Sequence, residues 1–163
     1  MKSPHNEASA QDRPIRLRLA EKADCRLIFE WRNHPRVRRF FFDPGVIPFE
    51  DHEQWFLDSL NRSDRVIFVA QEGDIPFGVI RFDMDAQRKS AEVDIYIDPH
   101  RQGQGLGTRL LDAGEQWIAE NTNVEVLRAR VMAENEASAR MFEKCGFQPE
   151  FIQLVKALNR EDP

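Results

Sequence analysis

The chain reads as an α/β protein of the α+β kind, and three neighbouring observations carry that reading. Ala91 to Asp98 (AEVDIYID) alternates apolar and polar residues with the period of a strand. Gln102-Gly103-Gln104-Gly105-Leu106-Gly107 follows as a glycine-rich turn. Leu106, Leu110, Ala113, Trp117 and Ile118 then fall at helical spacing and make one apolar stripe. A strand-turn-helix passage of this kind leaves the first backbone N–H groups of the helix uncovered. Those donors and the positive end of the helix dipole suit an anion such as a pyrophosphate. Glycines let the phosphates approach the backbone.

The remaining elements follow in chain order. Ile15 to Leu19 alternates as a first strand, and Lys22 to Asn33 is helical, with Leu27, Ile28 and Trp31 on one face. His34-Pro35 ends that helix, because a residue before proline is pushed out of the helical region. A loop holding Pro44, Gly45 and Pro48 leads to a second helix, Phe49 to Leu60. Val66 to Gln71 and Phe77 to Met84 read as strands joined by the Gly73-Asp74 turn. After the strand at 91–98, the phosphate-loop helix runs to Asn121 and Val124 to Val131 is a further strand. Asn135 caps another helix, which carries Ser138 in its first turn and stops at Gly146, and final strands are expected between Phe147 and Leu158.

Composition narrows the class. A length of 163 residues bounds one domain, expected over 14–163, with a core that needs no covalent staples. Residues 1–13 are polar and read as a disordered tail. Cys25 and Cys145 lie far apart without metal-ligand spacing, so they read as reduced thiols in a cytoplasmic protein that holds no metal. No apolar run approaches membrane-spanning length, and a net charge of −5 argues against nucleic acid as a partner. The glycine turn matches neither the G-x-G-x-x-G of dinucleotide folds nor a Walker loop, since it ends Gly107-Thr108-Arg109.

The turn reads Q-x-x-G-x-G. About 30 residues on, Asn135-Glu136-Ala137-Ser138 leads through Phe142 to Gly146-Phe147. In this order and at this separation the two segments resemble the pyrophosphate loop and the N-x-x-A/S-x-x-x-Y/F-x-x-x-G-F segment of the GCN5-related N-acetyltransferases (GNAT superfamily). The resemblance covers about Ile15 to Leu158. It implies a mixed, mostly antiparallel sheet of six to seven strands flanked by about four helices. It also implies acetyl-CoA as acetyl donor, bound where the fourth and fifth strands splay apart. The backbone of Ile95, Tyr96 and Ile97 would then pair with the pantetheine. Gln102, Gly103, Gln104, Gly105, Leu106, Gly107 and Thr108 would hold the pyrophosphate. Asn135 and Ser138 would meet the pantetheine or phosphate arm, and Phe142 would pack near the thioester. Asn135 has a second reading as a helix cap, compatible with the first. Superfamily members often dimerise, so a homodimer is a possible assembly, although no residue specifies an interface.

Acetyl transfer from a thioester to an amine needs an amine that loses a proton, a donor for the developing oxyanion and a proton for the departing thiolate. Glu92, Asp94 and Tyr96 share one face of the central strand. By resemblance Glu92 is the first choice of general base, directly or through water, with Asp94 second. Both acids also have a packing reading, as cross-strand partners of Arg81. Here the sequence departs from the family pattern: Phe142 stands where many members carry a tyrosine as general acid, and phenylalanine has no proton to give.

The acceptor is read from the first half. Trp31 to Phe42 (WRNHPRVRRFFF) interleaves four arginines with aromatic residues, which suits an anionic acceptor bearing a flat ring. His52 shares a helix face with Trp55 and Phe56. The same residues also have a core-and-rim reading. The W-R-N-H-P-x-V-R stretch with the later H-x-x-W-F helix is similar to sugar-nucleotide N-acetyltransferases of pseudaminic acid biosynthesis. It is similar too to the opening of ribosomal-protein N-terminal acetyltransferases. The first likeness implies transfer to the 4-amino group of a UDP-linked amino-dideoxy sugar. Trp31, Arg32, Asn33, Phe41, Phe42, His52, Trp55 and Arg81 would then line the acceptor site. Protein N-terminal acetylation and a non-catalytic acyl-CoA-binding module are the alternatives.

Overall fold

Period-two alternation gives the sheet two apolar faces, and each is covered by different helices. The computed structural model describes residues 14–155. Five strands lie in spatial order β1 (Ile15–Leu19), β2 (Arg65–Glu72), β3 (Ile75–Met84), β4 (Ser90–Ile97) and β5 (Val126–Arg128). The first four pair antiparallel, and β5 joins β4 in parallel. On one face Phe68, Ile80, Phe82, Ala91 and Val93 pack against α4 (Leu106–Asn121) and α5 (Glu136–Lys144). On the other, Ile67, Val69 and Val79 meet α1 (Cys25–Asn33) and α3 (Phe49–Leu60). The helix α4 sits close on β3. A methyl group on Gly114 would come within 2.6 Å of Ile80 and 2.9 Å of Phe82.

Several boundaries differ from the sequence reading. The first helix opens with a 3-10 turn at Lys22–Asp24, where the Asp24 carboxylate accepts from the Glu21 N–H and from Arg18 of β1. His34-Pro35 ends α1 as expected but also starts a short helix, α2 (Pro35–Arg38), with proline in its first turn and the His34 ring accepting from Arg36 N–H. The strand expected over Val124 to Val131 is only Val126–Arg128. It pairs with Ser90–Glu92 and then diverges, so residues 129–131 have no ladder to join.

The sheet therefore has five strands among the described residues, against the six to seven expected. No strand forms over 147–155, and Leu158 lies outside the described residues, as does the expected tail 1–13. A strand needs a partner edge, and the three-residue β5 offers a short one. Phe151, Ile152, Leu154 and Val155 are left exposed. Among the described residues no helix is long and apolar enough to cross a membrane.

Candidate active site

The glycine-rich turn begins where β4 runs out. Asp98 N–H donates to the Phe77 carbonyl, and the Asp98 carboxylate accepts from His100 N–H at 2.9 Å, which closes the chain into a tight corner. Gly103 and Gly105 have φ of +78° and +73°, a region that side chains with a Cβ rarely adopt. Gly105 is the N-cap of α4 and no side chain caps that helix, so its first N–H groups remain available. The space where a Cβ would sit on Gly103 or Gly105 is open. Gly107 faces α5, and a Cβ there would lie 2.7 Å from the Met141 sulfur.

A groove of about 420 Å³ starts at this turn. One wall is the turn itself, with Gln102, Gly103, Gly105, Gly107 and Thr108. A second is β4 from Glu92 to Ile97, whose outer backbone edge pairs with no strand among the described residues beyond Glu92, because β5 has diverged. The start of α5 supplies Asn135, Ser138, Met141 and Phe142, and the segment after α1 supplies Arg36 and the Phe40, Phe41 and Phe42 rings. Asn135 is confirmed as a helix cap, accepting from Ser138 N–H at 3.2 Å. Phe142 is buried and meets Phe147 edge to face, 4.9 Å between ring centroids. Of the turn residues, Gln104 and Leu106 do not line the groove, and the Leu106 side chain belongs to the core.

A backbone cradle with open space over two glycines, an uncapped helix start and an unpaired strand edge is a fit for the pyrophosphate and pantetheine of acetyl-CoA. Among the described residues no group of three or more His, Cys, Asp or Glu side chains converges to hold a metal.

The β4 carboxylates have different partners. Asp94 pairs across the ladder with Arg81 at 3.2 Å, in register, as the packing reading expected. Burial pushes the Asp94 carboxyl above the ordinary aspartate value, against the opposing pull of Arg81 and Arg32. Glu92 does not meet Arg81. Its Oε1 accepts from Arg130 at 2.7 and 3.0 Å. Tyr96 lies beyond Asp94 and meets the Phe41 ring at 6.0 Å. Burial is the largest cause that raises the Tyr96 hydroxyl well above its ordinary value, so it keeps its proton. A second, more polar groove of about 460 Å³ runs along β2 to β5 and shares Arg81, Glu92 and Arg130 with the first.

The residues expected to meet the acceptor divide. Phe41, Phe42 and Arg81 line the main groove. Trp31, Arg32, Asn33, His52 and Trp55 do not. Trp31 is core. The Arg32 guanidinium lies over Phe41, 3.4 Å from the ring centroid, and so braces a ring of the groove wall. Asn33 exchanges two hydrogen bonds with the Ile47 backbone, at 2.8 and 2.9 Å, and pins the loop after α2. His52 is buried between Phe29, Trp55 and Phe56, and burial lowers its proton affinity. Trp55 covers Arg65 and Arg81 at about 5.5 Å.

Sequence reading missed Arg36, Phe40, Arg130 and Met141 as lining residues. Arg36 and Phe40 belong to the arginine-aromatic segment, which did announce itself. Arg130 carries no local signal, because only the divergence of β5 brings it to Glu92.

The comparisons agree with this geometry. A family model described as an acetyltransferase (GNAT) domain matches residues 15–148. Acetyltransferase PseH of Campylobacter jejuni is 30% identical over 125 residues, 76% of each chain. The L-amino acid N-acyltransferase MnaT of Escherichia coli is 26% identical over 136 residues, 80% of this chain and 78% of that protein. The crystal structure of spermidine N-acetyltransferase from Vibrio cholerae in complex with CoA and spermine superimposes with a TM-score of 0.78 at 23% identity, over 84% of this chain and 82% of that one. The chain belongs to the GNAT acetyltransferase family and is an acetyl-CoA-dependent N-acetyltransferase.

Proposed function

We propose that the enzyme acetylates a primary amine of a small anionic acceptor, the 4-amino group of a UDP-linked amino-dideoxy sugar, by direct transfer. The observation that carries this reading is one continuous groove. It has an anion cradle at the start of α4, two carboxylates on β4 and a wall of arginine and phenylalanine side chains from 36 to 42. Acetyl-CoA supplies an acetyl thioester, reactive toward a neutral amine. The chain supplies the rest. Gln102 to Thr108 hold the pyrophosphate through backbone N–H groups, and the free edge of Ile95 to Ile97 takes the pantetheine amides, with Asn135, Ser138 and Phe142 closing the arm from the α5 side.

Glu92 takes the amine proton, directly or through one water. It lies where the two grooves meet, and only one of its carboxylate oxygens is engaged by Arg130. Asp94, one pleat deeper, holds the amine. The sulfur needs a proton that Phe142 cannot give. Tyr96, the one tyrosine of the chain, lines the same groove with its hydroxyl protonated, and we assign it that role. For the acceptor, Arg36 and Arg130 offer cations to a diphosphate, and Phe40 to Phe42 offer rings to a base or sugar.

The direct test is free-thiol release from acetyl-CoA across a panel of a UDP-4-amino-dideoxy sugar, N-terminal peptides and polyamines. Release with the nucleotide sugar alone is the expected result. Release with peptides or polyamines alone would replace the acceptor reading and leave the chemistry standing. Tight acetyl-CoA binding with no release from any acceptor would favour an acyl-CoA-binding module.

A further inference from the structure

Glu72 is a buried carboxylate outside the groove, and the chemistry above makes no use of it. It ends β2 on the face covered by α4, and its two oxygens are divided between two arginines. Arg101, the residue before Gln102, donates to Oε2. Arg109, in the first turn of α4, donates to Oε1 at 2.9 Å. The Arg101 guanidinium also lies 5.4 Å from the Phe77 ring centroid, which holds it down on β3. Burial works to raise the Glu72 carboxyl, and the two guanidiniums outweigh it and hold the group below its ordinary value.

The two arginines flank the glycine-rich turn, one at its entry and one just past its exit. Between them Gly103 and Gly105 supply no side chain that could fix the turn's shape, and each glycine admits many backbone conformations. Anion binding by backbone N–H groups needs them preset toward one point, since ordering them at the moment of binding weakens affinity. A single carboxylate bonded to both flanks ties the entry and exit of the turn to the end of β2.

We propose that Glu72 is a positioning residue for acetyl-CoA: through Arg101 and Arg109 it holds the glycine-rich turn in the shape that receives the pyrophosphate. This rests on the reading that the turn binds the pyrophosphate. The same arrangement draws both guanidiniums toward the sheet, so recognition of the anion is left to the neutral backbone donors of the turn and the helix start.

The test compares the affinities of acetyl-CoA and S-acetylpantetheine, which lacks the pyrophosphate and the nucleotide, in the wild type, Glu72→Gln and Arg101→Gln. The wild type should prefer acetyl-CoA. Glu72→Gln should cut acetyl-CoA affinity about tenfold, leave S-acetylpantetheine affinity unchanged, and raise the acetyl-CoA KM with kcat retained. Removing one partner of a buried ion pair is destabilising. Arg101→Gln leaves the Glu72–Arg109 bond in place and gives the same ratio if Glu72→Gln does not fold. A wild type with no preference between the two ligands would overturn the pyrophosphate reading and the proposal with it. An undiminished preference in folded variants would overturn the proposal alone. So would an equal loss for both ligands, or tighter acetyl-CoA binding that weakens steeply with salt.

Discussion

Arg130 donates from Nε and a terminal guanidinium nitrogen to one oxygen of Glu92, at 3.0 and 2.7 Å, while its guanidinium faces the Phe42 ring at 5.2 Å. One side chain from beyond β5 thus links the carboxylate on β4 to the aromatic loop after α2, across the place where the two grooves meet. Both ends are partly exposed, so the link is weak in energy and its effect is on the shape of the acceptor end. Arg130→Ala should raise the acceptor KM about fivefold and leave the acetyl-CoA KM unchanged in steady-state kinetics.

The two β4 carboxylates should separate in kinetics. Glu92→Gln should lower kcat by about a thousandfold while acetyl-CoA binding, followed by calorimetry, is retained. Asp94→Asn should chiefly raise the acceptor KM. Asp94 has its proton affinity raised by burial, and in the proposed mechanism its charged form holds the amine. The acceptor KM should therefore rise as pH falls through a value above that of an ordinary aspartate. Arg81 opposes the shift, so Arg81→Gln should move this limb to still higher pH. A limb that persists in Asp94→Asn would exclude Asp94 from the role.

Tyr96→Phe removes a hydroxyl and little volume. A loss of about a hundredfold in kcat with both KM values unchanged is expected. Unaltered kcat would mean that solvent or the substrate protonates the sulfur.

Gly105 is the N-cap of α4 at φ +73° with open space around it, so Gly105→Ala acts through backbone strain alone. The expected loss of stability is about 1 kcal/mol. Because the strained residue shapes the anion cradle, the acetyl-CoA KM should rise about fivefold to tenfold with the acceptor KM unaffected.

Asp24 accepts two hydrogen bonds from Arg18 at 2.6 Å, and its side chain is nearly buried. Burial works to raise its carboxyl, and the bonds from Arg18 and from Glu21 N–H bring it below the ordinary value. The folded value is the lower one. The resulting stability is complete above the unfolded aspartate's value and is lost as pH falls through the folded value. Asp24→Ala should cost about 3 kcal/mol at neutral pH in denaturant melts, and less in acid.

Much of the catalytic frame is local and so was legible in the chain. Alternation at 91–98, glycines at 103, 105 and 107, and Asn135 with Ser138 each act through their own neighbours in sequence. The strand at β4, the start of α4 and the cap of α5 stand where those patterns put them. His34-Pro35 was half read: it stops one helix by the pre-proline rule, and its second effect, starting α2, depends on the His34 ring turning to accept from Arg36 N–H. His52 and Trp55 share a helix face as spacing requires. Spacing cannot say whether that face meets substrate or core, and here the imidazole meets Phe29 and Phe56.

By itself the sequence determined the family, the acetyl donor, and where the glycine turn and the strand before it lie, because those are carried by short local motifs and backbone geometry encoded within a few residues. Only the tertiary structure decided which side chains share the groove. Arg81 goes to Asp94 because the β3–β4 register sets them opposite each other, and Arg130 reaches Glu92 because β5 leaves the ladder after Arg128. Glu72 gathers Arg101 and Arg109 because the end of β2 lies beneath the turn. Those pairs are 13, 38, 29 and 37 residues apart. No periodicity reaches that far, so strand register and the point where two strands part select the partners.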